Sequence, residues 1–444
     1  MTPAEDLVRS TTRAIADTVT EAPPLRLPAP AHPADGARSR GARRLRNWLA
    51  PLTVAIAVAA IAASLLVVRD FTGGHTAPST TATTGPDGTP RYYVELKPTG
   101  TGASPTPNAL VIGDALTGST LATIQPPAGQ SFFGVVAAAD DRTFVVDTLP
   151  FGGQLNLIEP RTWYLLRLAP GTGAPAQLSR LPLPSLSYVT ALALSTSGDE
   201  LAIASGGAEA LGTVGKLAPG VLRLYSVTTG KLLRTWTSTD QSAFDVDGIA
   251  GENTQDLTWI DDDHGIAFLS APGHFGTAPA RQKLTETLHV LNVTAPGDSL
   301  LGDSRVVWSQ TTTQAADFGP TICSWEADVL VSADGKTIVC PSVSVSAAAA
   351  GKGERWTLRW LAYSTSAPTA ASTLFTVTIN QASSAAPLMY SQWIGVKTII
   401  ADWYLYNDGM SGEPHIGVIS NGHFTPLPVP VLSLPGLNEP GIAW

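Results

Sequence analysis

Two cysteines have a spacing that predicts a covalent bond. Cys323 and Cys340 are the only cysteines among the 444 residues, and they flank one predicted hairpin, TICSWEADVLVSADGKTIVC. Facing strands of a hairpin bring such side chains together, and an oxidising compartment favours a disulfide. The alternative is two buried thiols, and without a Cys-x-x-Cys the zinc and redox-motif readings fail. We predict a Cys323–Cys340 disulfide, worth about 3 kcal/mol in the chain-entropy model.

A second pattern that suggests chemistry is the tetrapeptide Gly297-Asp298-Ser299-Leu300. Gly-Asp-Ser-Leu is the nucleophile signature of a family of serine esterases, which use an α/β fold and a downstream Asp-x-x-His. Here the tetrapeptide follows the strand-like run LHVLNVTAP, and no Asp-x-x-His occurs after it. A serine without a general base is not activated as a nucleophile. We therefore predict that Ser299 lies in an ordinary turn and assign no catalytic residue.

Carboxylates cluster in two segments that raise the question of metal binding. The first segment holds Asp245, Asp247, Glu252 and Asp256, and the second is the run Asp261–His264. Calcium binds clustered carboxylates, but the first segment lacks the spacing of an EF-hand loop. Asp residues favour turns because they bond their own backbone, which accounts for the second segment. We predict a solvated loop and a turn, without a metal, and keep a cation site as the alternative.

The other reactive residue types form no cofactor or active-site motif. The seven His show no His-Glu-x-x-His spacing, and neither a Gly-x-x-x-x-Gly-Lys loop nor a strand followed by Gly-x-Gly-x-x-Gly occurs. We therefore predict no cofactor. The tryptophans fall in or beside predicted strands, which favours core packing over a glycan-stacking surface, and they include Trp236, Trp259, Trp308, Trp393 and Trp444.

Charge divides the chain into a basic and an acidic part. Residues 1–47 carry eight Arg against five acidic residues, whereas residues 90–444 carry 18 Lys and Arg against 29 Asp and Glu. Nucleic-acid binding needs clustered Lys and Arg, so the acidic part is not expected to bind nucleic acid. Charged residues make up only 14% of the chain, and 41 Gly and 35 Pro indicate many turns around a large buried surface.

An uncharged apolar run, Trp48–Val68, predicts a transmembrane helix. It reads WLAPLTVAIAVAAIAASLLVV, and a run of this length spans the hydrocarbon core of a bilayer, about 30 Å. A cleaved or twin-arginine signal is the alternative, but a cleaved signal normally has a shorter basic region and core. By the positive-inside rule the N-terminus is cytoplasmic and the C-terminal part extracellular. The arginines behind this orientation are Arg38, Arg40, Arg43, Arg44 and Arg46.

The segments on either side of this helix are predicted to be a tail and a spacer. The cytoplasmic tail, residues 1–47, opens with Thr2-Pro3-Ala4-Glu5, a capping-box pattern that predicts a short helix, and residues 22–37 are a Pro-rich linker. The tail is either solvated or, through residues 1–37, a docking segment for a cytoplasmic partner. Residues 69–90 are rich in Gly, Pro and Thr and predict a flexible spacer.

From residue 91 to 444 one unit recurs that predicts an all-β fold. The unit is a strand, a tight Ser/Asp/Gly turn and a second apolar strand, followed by further strands. Its starts lie 57, 65, 72 and 62 residues apart (192−135, 257−192, 329−257, 391−329), which suits a four-stranded antiparallel blade. The copies are VVAAADDRTFVVDT (135–148), LALSTSGDELAIAS (192–205), LTWIDDDHGIAFLS (257–270), VLVSADGKTIVCPS (329–342) and SQWIGVKTIIADWY (391–404).

Fragments at both ends of this region complete a sixth unit. Tyr92–Leu96, residues 110–118 and residues 120–124 supply a second, third and fourth strand, and residues 439–444 (EPGIAW) supply the missing first strand. Pairing them in one blade closes a ring, which removes the sheet edges that promote aggregation. The sequence thus predicts a six-bladed β-propeller over residues 91–444, closed by N- and C-terminal strands and preceded by one transmembrane helix.

The repeated turns resemble those of a known group of propellers. The units 195–202 (STSGDELA) and 332–338 (SADGKTI), each followed by a strand and a second turn, resemble WD40-like and TolB-like propeller repeats. Over residues 38–444 the layout of basic tail, helix, spacer and propeller is similar to that of actinobacterial single-pass membrane proteins whose function is unassigned. The resemblance implies a propeller fold and a role as a binding platform.

These features predict a non-enzymatic module that binds or senses an envelope protein or a ligand outside the cell membrane. The alternative is a hydrolase-like enzyme whose site is built from single residues of several blades at the mouth of the channel. A structural cell-surface protein is a third reading. Acidic residues that hold a metal at one face favour the enzyme, whereas a broad apolar or aromatic rim favours a partner surface.

Overall fold

A computed structural model describes the chain from residue 90 onward, with gaps. The described residues belong to one compact unit, Ser79–Trp444. The tail, the predicted helix at 48–68 and the spacer up to residue 89 lie outside them. No helix within the described ranges is long and apolar enough to cross a membrane. Those ranges are 90–100, 107–152, 159–169, 175–205, 220–238, 257–260, 263–270, 283–313, 323, 329–347, 353–381, 388–393, 398–407, 411–429 and 442–444.

The described residues fold into β-strands, as the recurring apolar runs between turn residues predict. In chain order the strands are β1 (Tyr92–Pro98), β2 (Asn108–Asp114), β3 (Ser119–Ile124), β4 (Gln130–Ala137), β5 (Thr143–Pro150), β6 (Thr162–Leu168), β7 (Pro175–Arg180), β8 (Val189–Leu194), β9 (Glu200–Ser205), β10 (Val221–Ser226), β11 (Leu232–Thr237), β12 (Leu257–Ile260), β13 (Gly265–Ser270), β14 (Lys283–Asn292), β15 (Ser304–Thr313), β16 (Leu330–Val331), β17 (Thr337–Ala347), β18 (Glu354–Ser364), β19 (Ala367–Gln381), β20 (Leu388–Trp393), β21 (Thr398–Asn407), β22 (Ser411–Ser420), β23 (His423–Pro426) and β24 (Ile442–Ala443).

These strands form six four-stranded sheets, which confirms the prediction of a six-bladed all-β propeller. The first strands β4, β8, β12, β16 and β20 contact one another in succession and β24 contacts β4, so the first strands line the inside of the ring. The last blade takes its first strand from the C-terminus, because β24 pairs with β1 through Val94–Ala443 and Glu95–Ile442. We number the sheets blade 1 (β4–β7), blade 2 (β8–β11), blade 3 (β12–β15), blade 4 (β16–β19), blade 5 (β20–β23) and blade 6 (β24-β1-β2-β3).

The core consists of six apolar clusters, one between each pair of neighbouring blades. The alternation along each strand sends successive side chains to opposite neighbours. In β5, for example, Phe144 and Val146 pack against blade 6, whereas Val145 packs against blade 2. The cluster between blades 5 and 6 joins Tyr93 and Trp444 to residues of β21 and β22. Every blade is therefore held on both faces by apolar burial.

The chain connections divide the propeller into two ends. In an antiparallel blade the first–second and third–fourth strand connections share one end, and the remaining connections share the other. We call these the turn end and the loop end. At the turn end, tight turns such as 138–142 and 332–336 join the first two strands of a blade. The longest connections, such as 238–256 and 314–329, begin and end at the loop end.

Candidate functional site

Each tight turn between the first two strands of blades 1 to 4 has one residue in the left-handed conformation at the same position. Gly198 and Gly335 occupy it in blades 2 and 4, with φ of 76° and 67°, and Asp141 and Asp263 in blades 1 and 3, with φ of 54° and 67°. Glycine reaches this region without steric cost, and Asp tolerates it better than most residues. The residue at this position therefore alternates between Asp and Gly from blade 1 to blade 4.

The two Asp residues at this position bind the backbone of the preceding blade. The Asp263 carboxylate accepts hydrogen bonds from the backbone N–H groups of Thr196 (2.7 Å) and Ser197 (3.1 Å) in blade 2. Asp141 accepts one from the backbone N–H of Arg91 (2.9 Å) at the start of blade 6. Burial raises the pKa of Asp141, and the hydrogen bond from the Arg91 backbone N–H opposes that rise. Both carboxylates therefore serve as links between blades.

The Asp261–His264 turn thus has a structural role at Asp263, while Asp261 and Asp262 lie outside the described residues. The acidic segment from Asp245 to Asp256 also lies outside them. Within the part of the chain that the structure describes, no group of three or more His, Cys, Asp or Glu is arranged to hold a metal ion.

The Gly297–Leu300 tetrapeptide lies in the connection between β14 and β15, at the turn end, and packs along β11. The Ser299 Oγ accepts a hydrogen bond from the backbone N–H of Gly302 (3.1 Å), and the backbone N–H of Ser299 donates to Asp303 Oδ2 (2.8 Å). Arg234 of β11 donates to the Gly297 carbonyl (2.7 Å). Ser299 therefore closes a turn, and its local contacts are those of a structural residue.

The two cysteines form a disulfide with a Cα–Cα distance of 5.5 Å. Cys340 belongs to β17, and Cys323 lies in the connection between blades 3 and 4. The Gln310 side chain holds Cys323 on both sides, because it donates to the Cys323 carbonyl (3.1 Å) and accepts from its N–H (2.9 Å). The disulfide and Gln310 thus fasten one loop-end connection to both blades that it joins.

Four of the five tryptophans considered above lie in the core, as predicted. Trp236 and Trp259 belong to the cluster between blades 2 and 3, Trp308 to the cluster between blades 3 and 4, and Trp444 to the cluster between blades 5 and 6. The side chain of Trp393 lies outside the described part of the chain.

His289 of β14 lies between two hydroxyl groups, an arrangement that the sequence did not reveal. Its Nδ1 is 2.9 Å from Ser304 Oγ and its Nε2 is 3.0 Å from Thr287 Oγ1, and its ring stacks on Phe268. The Ser304 hydroxyl also donates to the Leu301 carbonyl (3.1 Å), and the Thr287 hydroxyl donates to the Ser270 carbonyl (3.2 Å). Burial lowers the pKa of His289. His289 is thus a core residue whose two ring nitrogens contact hydroxyl groups of the fold.

A buried ion pair lies within blade 1 at the loop end, and its arginine also bonds blade 2. Arg161 and Asp147 have side-chain exposures of 3% and 0%, and Arg161 Nη1 is 2.5 Å from Asp147 Oδ2. Arg161 Nη2 donates to the carbonyl of Val189 (2.8 Å), the first residue of β8. The guanidinium also lies over the ring of Phe133, with Cζ 4.7 Å from the ring centroid. We call Arg161 and these three partners the Arg161 hub.

A β-bulge places Phe133 on the guanidinium. The pairing of β4 with β5 shifts register between Phe132 and Gly134, so Phe132 packs into the blade 6–blade 1 core while Phe133 stays half-buried on Arg161. The backbone N–H of Gly134 donates to Asp147 Oδ1 at 2.6 Å. A Cβ at Gly134 would lie 3.1 Å from that oxygen, so glycine permits the close approach.

The connection from β7 to β8 folds onto the same hub and holds Tyr188 in a strained conformation. Tyr188 has φ of 57°, a value uncommon for a bulky residue. The segment before it is fixed because the Arg161 backbone N–H donates to the Leu186 carbonyl and Trp163 Nε1 donates to the Pro184 carbonyl, both at 2.9 Å. Strain of this kind persists only where the surroundings enforce it, and it often marks a functional surface.

Further aromatic side chains lie at the same end of blade 1. Phe151, directly after β5, is 41% exposed. Tyr164 donates from its hydroxyl to Gln130 Oε1 (3.2 Å), and Thr148 donates to the same oxygen (2.8 Å). These side chains flank the innermost strand of blade 1 at the loop end. We define the blade 1 rim as the half-buried or exposed residues Gln130, Phe133, Phe151, Tyr164 and Tyr188.

The sequence contained weak signals for these groups. Asp147 interrupts the apolar run of β5 and Glu95 interrupts that of β1, where a period-2 core pattern predicts an apolar residue. Arg161 follows a Pro in a connection, and its partner lies 14 residues away. Only the register of the strands shows that Arg161 and Asp147 face each other.

Comparisons with known proteins add only distant likenesses of fold. No protein-family model matches the chain, and no curated protein matches it. The β-propeller domain of the Trilobed protease from Pyrococcus furiosus is 10% identical, with a TM-score of 0.36, over 76% of this chain and 78% of that chain. The tricorn protease is 12% identical, with a TM-score of 0.34, over 72% of this chain and 29% of that chain. An acylaminoacyl peptidase is 8% identical (TM-score 0.35), over 74% of this chain and 43% of that chain. Similarities this low carry no conclusion about activity.

Proposed function

We propose that this protein is a membrane-anchored propeller that binds a protein or ligand outside the cell, with the blade 1 rim as its contact surface. The observation that carries the proposal is the Arg161 hub, whose guanidinium lies over Phe133 at the same end of blade 1 as the strained Tyr188 and the exposed Phe151. Aromatic residues and Arg are enriched where proteins bind partners, because they offer large apolar area at low entropic cost. A rim of this composition favours a partner surface over a metal-dependent site.

Three polar side chains of the described part support binding over catalysis, because their hydrogen bonds are made within the fold. Ser299 closes a turn, both ring nitrogens of His289 contact hydroxyl groups in the core, and both oxygens of Asp147 accept hydrogen bonds. Catalytic acids, bases and nucleophiles need a position from which they can reach a substrate. These three side chains instead join parts of the fold.

The proposal includes the topology and the closure of the molecule. Residues 48–68 form an uncleaved anchor, residues 1–47 lie in the cytoplasm, and the propeller is extracellular, as the arginines before the anchor favour. The pairing of β24 with β1 closes the ring, since blade 6 otherwise lacks its first strand. A closed ring is a rigid support for loops that bind a partner.

The contact surface is tested with a matched pair of exposed apolar residues. Phe151 at the loop end is 41% exposed, and Leu116 at the turn end is 42% exposed. A photo-crosslinking amino acid is placed at either position in the full-length protein in native membranes. We expect a specific crosslinked partner from position 151 that Tyr188→Ala reduces, and none from position 116. Equal yields from both positions, or products from position 116 alone, would contradict the assignment to the loop end.

The topology is tested separately with single cysteines and a membrane-impermeant thiol reagent on intact cells. Cysteines are introduced at Ser79 in the spacer and at Ser10 in the tail, in a Cys323→Ser/Cys340→Ser background. We expect labelling at position 79 and none at position 10 until the membrane is opened. Labelling at position 10 in intact cells would reverse the orientation. A partner lost when residues 1–37 are deleted would move the contact into the cytoplasm.

A further inference from the structure

Glu95 is a carboxylic acid in the core of the blade that joins the two ends of the propeller chain. Its exposure is 1%, and within the described part of the chain its Oε1 has no hydrogen-bond partner. Glu95 pairs across the sheet with Ile442 of the terminal strand β24 and with Val111 of β2. A buried polar group without a partner is costly, so its presence here requires an explanation.

The register of the strands shows that this position is apolar in every other blade. Equivalent backbone bonds, such as Ala115 N–H to Arg91 carbonyl and Leu168 N–H to Arg142 carbonyl, align the second strands of the blades. In this alignment the position of Glu95 is fully buried and apolar in the other five blades, where it holds Val146, Ile203, Phe268, Cys340 and Ala401. The single acid therefore replaces a core residue, and it does so in the closing blade alone.

The surroundings of Glu95 oppose its ionisation. The side chains of blade 5 that pack on this face of blade 6, Ile400, Ile416 and Val418, are apolar. Burial raises the pKa of Glu95 to about 7, and the charge of Lys97 only partly opposes that rise. By register, the titratable and charged groups on the strands around it are Tyr93 and Lys97 on β1, Asp114 on β2 and Asp402 on β21.

We propose that Glu95 is a protonation-dependent latch, which lets β24 close the ring while its carboxyl is neutral and loosens that closure when it ionises. The inference rests on the closure proposed above. Its direction follows from linkage. The pKa of Glu95 is about 7 in the folded protein and 4.5 ordinarily, so its contribution to closure is complete below about pH 4.5 and is lost as the pH rises through about 7. Opening would free a sheet edge of blade 6 for another strand.

The latch is tested by hydrogen–deuterium exchange on full-length protein in detergent micelles at pH 5.5 and pH 8.5. After correction for intrinsic rates, we expect the C-terminal peptide that contains β24 to exchange about tenfold faster or more at the higher pH, since ionisation across this pKa shift is worth up to two orders of magnitude. Both Glu95→Gln and Glu95→Val should abolish the difference. Valine is chosen because it occupies the equivalent position, 146, in blade 1. Glu200→Gln, which removes another acid whose pKa burial raises, should retain it.

Each outcome decides the proposal. An unchanged pH difference in Glu95→Gln would assign the titration to another group and overturn the latch. Slow exchange at both pH values in the unaltered protein would overturn the latch and leave the closure intact. Fast exchange of this peptide at both pH values in the unaltered protein and in Glu95→Val would show that β24 does not close the ring, and would overturn the proposed closure itself.

Discussion

The two ends of the propeller use carboxylates in opposite ways. At the turn end, Asp141 and Asp263 accept hydrogen bonds from backbone N–H groups of the preceding blade, so these carboxylates are already bonded within the fold. At the loop end, Asp147 holds Arg161, which in turn supports the aromatic ring of Phe133. The carboxylates of the turn end are therefore already bonded, whereas the buried carboxylate of the loop end holds an arginine that supports an aromatic ring.

The two ends also differ in how they join neighbouring blades. At the turn end, Asp141 and Asp263 bond the backbone of the preceding blade. At the loop end, the bonds between blades include the Arg161 hub, the disulfide, and Asn108 of β2, which bonds Ser131 and Phe132 of β4. Binding residues are commonly found on loops held by a rigid scaffold, and the proposed contact surface lies at the end opposite the tight turns.

The largest effect on the loop end is expected when the arginine of the hub is removed. Arg161→Met leaves the Asp147 carboxylate buried without its cation, a change that typically costs 3–5 kcal/mol, whereas replacing both partners with apolar residues costs far less. We expect a free energy of unfolding lower by about 3 kcal/mol or more in denaturant titrations monitored by tryptophan fluorescence. The double variant Asp147→Leu/Arg161→Met should recover part of the loss.

A loss below about 1 kcal/mol for Arg161→Met would mean that the Arg161 hub contributes little to stability. Photo-crosslinking from position 151 separates the two roles of the hub. If the double variant folds stably but no longer crosslinks its partner, the hub positions the rim. If it folds and crosslinks as before, the aromatic residues do not depend on the guanidinium, and the rim has to be redefined.

The disulfide gives the next largest expected effect. Cys323 and Cys340 are separated by 17 residues, and closing a loop of that size stabilises a protein by about 3 kcal/mol in the chain-entropy model. We expect Cys323→Ser/Cys340→Ser to lose about 2–4 kcal/mol of unfolding free energy, and a reducing agent to lower the stability of the unaltered protein alone. Equal effects of reductant on both proteins would show that the bond is not formed in solution.

The fold was predictable from sequence because its signals are local. Each strand–turn–strand unit carries its own alternation and turn residues, so the six blades follow from spacing and turn chemistry. Asp147 carries a weak local signal, an acid in an apolar run, but its pairing with Arg161 was not predictable, since only the strand register brings the two together. Glu95 carries a local signal, an acid in an apolar run, but only comparison of register across all six blades gives that signal a meaning.

The smallest expected effect tests the turn end through Asp263. Asp263→Gly keeps a residue suited to φ of 67° but removes the carboxylate that accepts from Thr196 and Ser197. Charge-assisted hydrogen bonds at half-buried positions contribute about 1 kcal/mol, and the conformational relief of glycine offsets part of the loss. We expect unfolding free energy to fall by about 1 kcal/mol, without change in crosslinking from position 151. Asp263→Ala should be less stable than Asp263→Gly, since alanine loses the same bonds and is strained at this φ. If Asp263→Gly instead abolished crosslinking at the loop end while the protein stayed folded, the two ends would be coupled through blades 2 and 3, and the division between scaffold and contact surface would fail.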